Sequence, residues 1–309
     1  MSMKKTLKIA TRKSPLALWQ AEYVKSQLQL LHPDLEIELI KMTTQGDQIL
    51  NSPLSKIGGK GLFIKELEVG MLEGRADIAV HSMKDVPFAI PDEFELGAVM
   101  ARENPFDAFV SNNYNHLGEL PQGAKVGSCS MRRVVQIKAI RPDLDILDLR
   151  GNVNTRLKKL DDGEYDAIIL ACAGLIRLGF EGRIKHALDA DTSLPAVGQG
   201  ALGIEIRRGD REVAELIQGL IDQDTMTTVL AERAMNATLE GGCSVPIAGY
   251  ATLDGESLTL RGLVGNVSSG EVLTEECVGS VSEPEVLGQL VANNLIANGA
   301  RKLLGKESD

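Results

Sequence analysis

The fold is decided by residues 125–171, which read KVGSCSMRRVVQIKAIRPDLDILDLRGNVNTRLKKLDDGEYDAIILA. Short runs of aliphatic residues alternate here with longer amphipathic runs that contain Arg and Lys. The pattern predicts three strands and two helices in the order strand 125–128, helix 131–140, strand 144–149, helix 153–161 and strand 166–171. Because alternating strands and helices form mainly parallel sheets covered by helices, this segment predicts an α/β lobe.

The beginning of the chain predicts a second lobe of the same class. Thr6–Ala10 and Glu36–Met42 are typical of strands, and Ser14-Pro15 is typical of a helix N-cap followed by proline in the first turn. A long glycine-containing loop is expected at 43–61, then a helix at about 62–73 and a buried strand at 77–80. The strand predicted at 201–206 could return to this first sheet.

The pattern changes after residue 222. A helix at 224–239 is followed by strands with turns at Asp254-Gly255 and Ser269-Gly270, and then by a final helix at about 283–304. This order is typical of an α+β domain. We predict three domains: residues 1–100 with 200–218, residues 105–195, and residues 222–309.

Composition limits the classes of function. The chain has 309 residues, a formal net charge of −10, 4% aromatic residues and a single Trp. The negative charge argues against nucleic acid as a partner, and the scarcity of aromatics argues against base stacking.

The cysteines and the N-terminus indicate a cytoplasmic protein without a metal. Cys129, Cys172, Cys243 and Cys277 form no CxxC motif and have no close histidine pairing. Cys172 ends an apolar run and is expected in the core. No stretch of apolar residues is long enough for a secretory signal or a membrane span, so we expect no membrane partner.

Arginines recur just after predicted strands. Such positions are found in Arg12-Lys13-Ser14, Ser130-Met131-Arg132-Arg133, Arg150 to Arg156, and Arg177. Helix N-termini and guanidinium groups both favour anions, and ligands of open α/β sheets bind at the carboxyl ends of strands. One such site could be solvated surface, whereas four favour a cleft for a polyanion.

The segment His81-Ser82-Met83-Lys84-Asp85-Val86-Pro87 is the candidate catalytic stretch. A buried strand ends here and presents Lys84 and Asp85. A carboxylate beside cationic groups stays ionised and could stabilise a cationic intermediate or relay a proton. A turn aspartate that bonds only to the local backbone is the alternative. His81 is expected to support the structure.

Cys243 lies in Leu239-Glu240-Gly241-Gly242-Cys243-Ser244-Val245-Pro246. The two glycines are expected to release the preceding helix and to display the thiol on a loop. A cysteine is usually a small buried hydrophobic residue. Here the chain supplies anion-binding segments and an acid but no evident base, which favours a cysteine that carries a group covalently.

Taken in order along the whole chain, these segments resemble the porphobilinogen deaminase (hydroxymethylbilane synthase) family. The segments that carry the resemblance are 11–17, 58–63, 81–87, 130–133, 150–152, 194–200 and the residues around Cys243. The resemblance implies two lobes like those of periplasmic binding proteins and a smaller C-terminal α+β domain. It also implies a cytoplasmic, monomeric transferase of porphyrin biosynthesis, with porphobilinogen as its small-molecule substrate.

The resemblance further implies a dipyrromethane cofactor held by a thioether to Cys243. Four porphobilinogen units would be deaminated and joined head to tail to this primer, and hydrolysis would release linear hydroxymethylbilane. Asp85 would be the catalytic residue. The remaining site residues implied are Lys84, Asp85, Ser130, Arg132, Arg133, Arg150 and Arg156 for the cofactor; Arg12, Ser14, Arg177 and Gln199 for substrate; and Lys60 and Phe63 in an active-site loop.

Two other functions fit parts of the sequence. A non-catalytic two-lobed anion-binding protein would use the lobes and the arginines but not the Cys243 segment. A cysteine-nucleophile hydrolase or acyltransferase would need a base near Cys243, and none of the four histidines has an evident partner role.

Overall fold

A computed structural model describes residues 5–48, 64–242 and 245–306. The chain divides into two compact units, which are Met1–Arg102 with Ala201–Met226, and Glu103–Gly200 with Thr227–Asp309. The chain therefore leaves the first unit after Arg102 and returns to it at Ala201. The three-domain division stays a prediction.

The described residues in the first segment of the first unit form four strands and three helices. They are β1 (Thr6–Arg12), α1 (Pro15–Leu31), β2 (Glu36–Met42), α2 (Gln45–Gln48), α3 (Lys65–Leu72), β3 (Ile78–Ser82) and β4 (Phe94–Val99). The short helix α2 lies within the loop expected at 43–61, and the rest of that loop lies outside the described residues.

The second unit opens with an α/β segment. It contains β5 (Asp107–Val110), β6 (Lys125–Gly127), α4 (Met131–Ile140), β7 (Asp145–Leu147), α5 (Val153–Asp161), β8 (Ala167–Ala171), α6 (Cys172–Arg177) and β9 (His186–Leu188). The chain then returns to the first unit with β10 (Leu202–Arg207) and α7 (Arg211–Ile217).

The C-terminal part follows a long helix, α8 (Gln223–Thr238). Its elements are β11 (Ile247–Asp254), β12 (Ser257–Gly265), β13 (Val272–Ser280), α9 (Pro284–Ala297) and α10 (Ala300–Leu303). The prediction of a single final helix at 283–304 is wrong, because the helix is interrupted at Gly299. The φ of this residue is 99°, which favours glycine.

The two five-stranded sheets share the same spatial order and direction of strands, but the antiparallel strand comes last along the chain in the first sheet (β10) and first in the second (β5). The first has the order β2-β1-β3-β10-β4 and the second β7-β6-β8-β5-β9. In the first, β1 pairs in parallel with β2 and β3, and β10 is antiparallel to β3 and β4. In the second, β6 pairs in parallel with β7 and β8, and β5 is antiparallel to β8 and β9. The return of β10 to the first sheet is confirmed.

Both faces of each five-stranded sheet are covered. One face of the first sheet packs with α1 around Leu7, Val24 and Leu28, and another cluster includes Met42 and Met71. In the second sheet the two clusters contain Phe109 with Ile137, and Leu157 with Ile168, among others. The fold class is thus confirmed as two mixed α/β lobes.

The three-stranded sheet β11-β12-β13 forms the smaller α+β part. Its strands pair antiparallel and pack against α8 and α9 in a core that includes Met235, Leu260 and Val291. Within the second unit, this sheet also contacts the α/β segment through Val135 and Leu263.

Candidate functional site

The catalytic stretch forms a short 3₁₀ turn directly after β3. Met83 is buried in this turn, and its backbone N–H donates to the carbonyl of Ala201 at 3.0 Å. Lys84 and Asp85 follow and are half-buried. The side chain of Asp85 takes part in no hydrogen bond within the described parts of the chain. The buried Met83 thus anchors the turn, while the carboxylate beside it is accessible to a ligand.

His81 lies one residue before the end of β3 and faces a buried carboxylate. Its Nε2 lies 2.9 Å from Oε2 of Glu205 on the neighbouring strand β10, and both side chains are almost fully buried. Glu68 on α3 shares a side-chain hydrogen bond with Glu205. Burial, and next the charge of Glu205, raise the pKa of Glu68 to about 7. This arrangement agrees with a supporting role for His81.

Ser14 and Arg12 mark the end of β1 and the start of α1. The Ser14 hydroxyl accepts a hydrogen bond from the N–H of Ala17 at 3.3 Å, which confirms the predicted N-cap. Arg12 is half-buried at the last position of β1. The roles of both residues toward substrate stay predictions.

Arg132 and Arg133, at the start of α4, converge on a residue that the sequence analysis missed. This residue is Asp107, the first residue of β5, and its side chain is fully buried. Arg132 donates to its Oδ2 at 2.8 Å and to its Oδ1 at 3.0 Å, whereas Arg133 donates twice to Oδ1, at 2.9 and 2.7 Å.

Two further side chains complete this arrangement. Ser193 Oγ donates to Asp107 Oδ2 at 2.8 Å, and Gln199 Nε2 donates to Oδ1 at 3.0 Å. We call Asp107, Arg132, Arg133, Ser193 and Gln199 the Asp107 cluster. The sequence contains one signal for it, because Asp107 is the one charged residue in the apolar run 106–110. The structure shows that all four residues of β5 are buried.

The charges of the Asp107 cluster are strongly coupled. Burial alone would raise the pKa of the Asp107 carboxyl, but the guanidinium groups of Arg132 and Arg133 outweigh it and hold that pKa well below its usual range. Burial in turn lowers the pKa of Arg132, against the attraction of Asp107. The cluster therefore carries a fixed negative charge and two positive charges in a buried position.

Arg177 joins the same region of the second unit. It ends α6, is buried, and donates from Nη2 to the carbonyl of Gly200 at 2.6 Å. Gly200 is next to Gln199, which also donates to the carbonyl of Pro105 at 2.6 Å. The structure thus brings together four of the predicted residues, namely Arg132, Arg133, Arg177 and Gln199.

Arg150 and Arg156 lie around the turn that leads into α5. Arg150 Nε donates to Asp148 at 2.6 Å, and its side chain is 30% exposed. Arg156 Nε donates to the carbonyl of Gly151 at 2.8 Å, and burial lowers its pKa. Gly151 has a φ of 109°, which suits a glycine in this turn.

Ser130 occupies the N-cap position of α4 without a side-chain capping bond. Its backbone N–H donates instead to the hydroxyl of Ser128 at 3.3 Å. Ser130 follows β6 and Arg150 follows β7. Because β6 and β7 are parallel, both residues lie at the same edge of the second sheet, as predicted.

The helix that leads toward Cys243 ends at Thr238, but not in the predicted way. The left-handed residue is Glu240, with a φ of 53°, whereas Gly241 has no positive φ. A Cβ at Gly241 would collide with the side chain of Asn236, which would have to move. Lys306 Nζ donates to the carbonyls of Leu239 and Glu240 at 2.9 and 2.6 Å and so caps this helix end.

Three predicted site residues lie outside the described residues, namely Cys243, Lys60 and Phe63. Of the other cysteines, Cys172 is confirmed as a core residue, since it is fully buried and burial raises the pKa of its thiol to about 11. Within the described ranges, no group of three or more His, Cys, Asp or Glu side chains is placed to hold a metal ion. The described helices include none that is long and apolar enough to cross a membrane.

Comparison with known proteins covers almost the whole chain. Residues 7–215 match the family model "Porphobilinogen deaminase, dipyromethane cofactor binding domain", and residues 226–297 match "Porphobilinogen deaminase, C-terminal domain". The solved structure of a periplasmic substrate-binding protein of an ABC transporter from Coxiella burnetii is 14% identical. The superposition covers 74% of this chain and 96% of the Coxiella burnetii chain, with a TM-score of 0.42.

Two curated relatives are much more similar. The porphobilinogen deaminase of Vesicomyosocius okutanii subsp. Calyptogena okutanii (strain HA) is 65% identical over 302 residues, which are 98% of this chain and 99% of the relative. That of Ruthia magnifica subsp. Calyptogena magnifica is 67% identical over 302 residues, with the same coverage of both chains. The resemblance inferred from the motifs is thereby confirmed, and the chain belongs to the porphobilinogen deaminase family.

Proposed function

We propose that this chain is a hydroxymethylbilane synthase. It deaminates four porphobilinogen molecules, joins them head to tail on a dipyrromethane primer attached to Cys243, and releases the linear tetrapyrrole by hydrolysis. The observation that carries the proposal is the match to both family domains, which together span 7–215 and 226–297. The predicted catalytic and anion-binding segments fall within these two ranges, as does Cys243.

The charges of the second unit suit a ligand with many carboxylates. Each pyrrole of the primer and of the product carries an acetate and a propionate, so the site has to bind many negative charges. In the Asp107 cluster the two arginines exceed the single carboxylate by one positive charge. Arg150 and Arg156 lie at the same edge of the second sheet. Guanidinium groups bind carboxylates well because both are planar and can share two hydrogen bonds.

The dipyrromethane, when bound, supplies the pyrrole carbon to which the first porphobilinogen is joined. We assign its attachment to Cys243 and its carboxylates to Lys84, Ser130, Arg132, Arg133, Arg150 and Arg156. The porphobilinogen carboxylates are assigned to Arg12, Ser14, Arg177 and Gln199, and Lys60 with Phe63 to the loop beside the site. These assignments depend on the motif positions.

Asp85 is proposed as the catalytic residue. When ammonia leaves porphobilinogen, its aminomethyl carbon becomes cationic, and the positive charge spreads to the pyrrole nitrogen. A carboxylate can accept a hydrogen bond from that N–H and stabilise the charge as it develops. The half-buried position of Asp85, with its side chain unbonded in the described residues, supports this role.

We further propose that the protein acts in the cytoplasm as a monomer. The free thiols of Cys129, Cys172 and Cys277 suit a reducing compartment. Sedimentation of the purified protein over a range of concentrations would test the monomer.

The proposed function is tested by the intact mass of the purified protein. The wild type should exceed its sequence mass by two deaminated porphobilinogen units, and added porphobilinogen should give discrete further increments. Cys243→Ser should show neither excess. Cys277→Ser, which removes a free thiol in β13, is the matched control and should retain both.

The two alternatives predict different masses and reactivity. A non-catalytic anion-binding protein would keep its sequence mass after porphobilinogen is added. A cysteine hydrolase or acyltransferase would be alkylated by iodoacetamide at Cys243, whereas a thioether at Cys243 blocks that reaction. An unmodified wild type that gains no increments would contradict the proposed function.

A further inference from the structure

Asp107 holds the guanidinium groups of two consecutive arginines close together. Neighbouring residues of an α-helix point about 100° apart, so the side chains of Arg132 and Arg133 leave α4 in different directions. Both guanidinium groups nevertheless meet at Asp107, whose Oδ1 accepts from both. A single buried carboxylate therefore sets the positions of two cations that would otherwise diverge.

The guanidinium groups keep some donors for a ligand. Arg132 uses Nη1 for Asp107 and for the carbonyl of Leu194, at 2.6 Å, and uses Nη2 once. Its Nε–H and its second Nη2–H donate to no described residue. Arg133 uses Nε, both Nη2 hydrogens and one Nη1 hydrogen, the last for the carbonyl of Ile169 at 3.1 Å. The arginines are thus held on one side and retain hydrogen-bonding capacity on another.

The same carboxylate holds the segment that carries Gln199. Ser193 and Gln199 both donate to Asp107, and the intervening Leu194 is fixed at both backbone groups. The Leu194 N–H donates to Gln136 Oε1 at 2.7 Å, and its carbonyl accepts from Arg132. Asp107 thus connects the start of α4 with residues 193–199.

We infer that Asp107 is a positioning residue, which orients Arg132, Arg133 and Gln199 for binding the carboxylates of the primer and of the growing chain. This inference rests on the proposed function. Asp107 is fully buried and accepts six hydrogen bonds from four side chains, so it acts through the arginines and not on the ligand. Its loss should weaken anion binding more than it slows the chemical step.

The first test measures anion binding without any reaction. Mellitate, a benzene ring with six carboxylates, is titrated calorimetrically into wild type, Asp107→Asn and Asp143→Asn. Asp107→Asn should bind about 10-fold more weakly, because the guanidinium groups lose their common anchor. Asp143→Asn is the control, since Asp143 pairs with Arg141 near the other end of α4 and should change the Kd by less than about 2-fold.

A second variant with a smaller change in the cluster provides the test if Asp107→Asn does not fold. Ser193→Ala removes one hydrogen bond from Asp107 and changes no charge. It should weaken mellitate binding by about 3-fold, the usual worth of one hydrogen bond. If the folded variants bind mellitate as the wild type does, the inference is wrong.

The holoenzyme gives the second readout. In a positioning role, both variants raise the KM for porphobilinogen by more than they lower kcat. In a purely structural role, they would lower the active fraction and so lower kcat at unchanged KM, which would overturn the inference. A wild type without turnover would contradict the proposed function instead, and the mellitate affinities would still decide the role of Asp107.

Discussion

Two buried carboxylates, one in each unit, are placed in opposite electrostatic surroundings. Asp107 faces two arginines, whose charges hold the pKa of its carboxyl far below the usual range against the effect of burial. Glu205 faces one histidine and a second carboxylate, Glu68, whose pKa is raised to about 7. Asp107 and Glu205 look alike in the sequence, since each is the single acidic residue in a mainly apolar strand.

The difference shows how the two units divide the proposed work. The second unit holds surplus positive charge in a fixed protonation state, which suits the binding of many carboxylates at any physiological pH. The first unit has a carboxyl group, that of Glu68, with a pKa of about 7. Glu68 lies in α3, and β3 follows this helix along the chain before the turn that carries Asp85.

Replacing Asp85 should have the largest effect, and on turnover. Asp85→Asn removes the charge that stabilises the cationic substrate, and turnover should fall by about 10²–10⁴-fold while a preloaded primer remains attached. Steady-state kinetics and intact mass of the same preparation measure both.

The control for that substitution is Asp92→Asn, an exposed acid of the same unit, which should leave turnover unchanged. Near-normal turnover of Asp85→Asn would remove this residue from the mechanism and, with it, the division of work between the units.

A matched pair of substitutions tests the two carboxylates for stability. Asp107→Asn should cost about 3–5 kcal/mol of unfolding free energy, because it leaves two buried cations without a counter-charge. Glu205→Gln at pH 7 should cost at most about 1 kcal/mol, since glutamine keeps a hydrogen bond to His81 and ends the repulsion with Glu68. Urea unfolding of both variants measures the two losses of unfolding free energy. Equal losses would contradict the proposed difference between the two carboxylates.

The raised pKa of Glu68 predicts a dependence of stability on pH. Between pH 4.5 and about 7 the unfolded chain loses this proton while the folded chain retains it, so the unfolding free energy falls as pH rises. Glu68→Gln should remove this contribution, which we take as about 1 kcal/mol after allowing for solvent screening of a half-buried group.

The measurement is the difference in Tm between Glu68→Gln and wild type at pH 5 and at pH 8. The difference should move in favour of the variant at pH 8 by a few degrees, about 2–4 °C per kcal/mol for domains of this size. Glu22→Gln, at an exposed position of α1, serves as the control and should show no such change. A constant difference for Glu68→Gln would mean that Glu68 does not hold a proton in the folded state.

Salt should have the smallest effect. Arg150 is 30% exposed, so its attraction for a ligand carboxylate is screened as ionic strength rises. Raising potassium chloride from about 0.1 M to about 1 M shortens the Debye length from roughly 10 Å to roughly 3 Å and should raise the KM a few-fold at constant kcat. A KM independent of salt would indicate that the ligand carboxylates are bound mainly by desolvated groups such as the Asp107 cluster.

Much of the fold could be predicted because it depends on local sequence. The helices at 131–140 and 153–161 and the strand at 36–42 have the predicted bounds. Each is marked by its own periodicity, and α1 and α5 also by the side chains of Ser14 and Asn152 at their N-caps. The strands β4, β5 and β9 were not predicted, since strand formation there depends on the neighbouring strands of the sheet more than on the residues themselves.

The two α/β lobes, the α+β part, the family, and the types of residue available for anion binding and catalysis could all be inferred from the amino-acid sequence. Which of those residues are held by other side chains became clear from the three-dimensional structure. Asp107 bonds to residues 25, 26, 86 and 92 positions away, and His81 to a residue 124 positions away. No local pattern in the sequence indicates such pairs. They form only when β5, α4 and residues 193–199, or β3 and β10, are brought side by side.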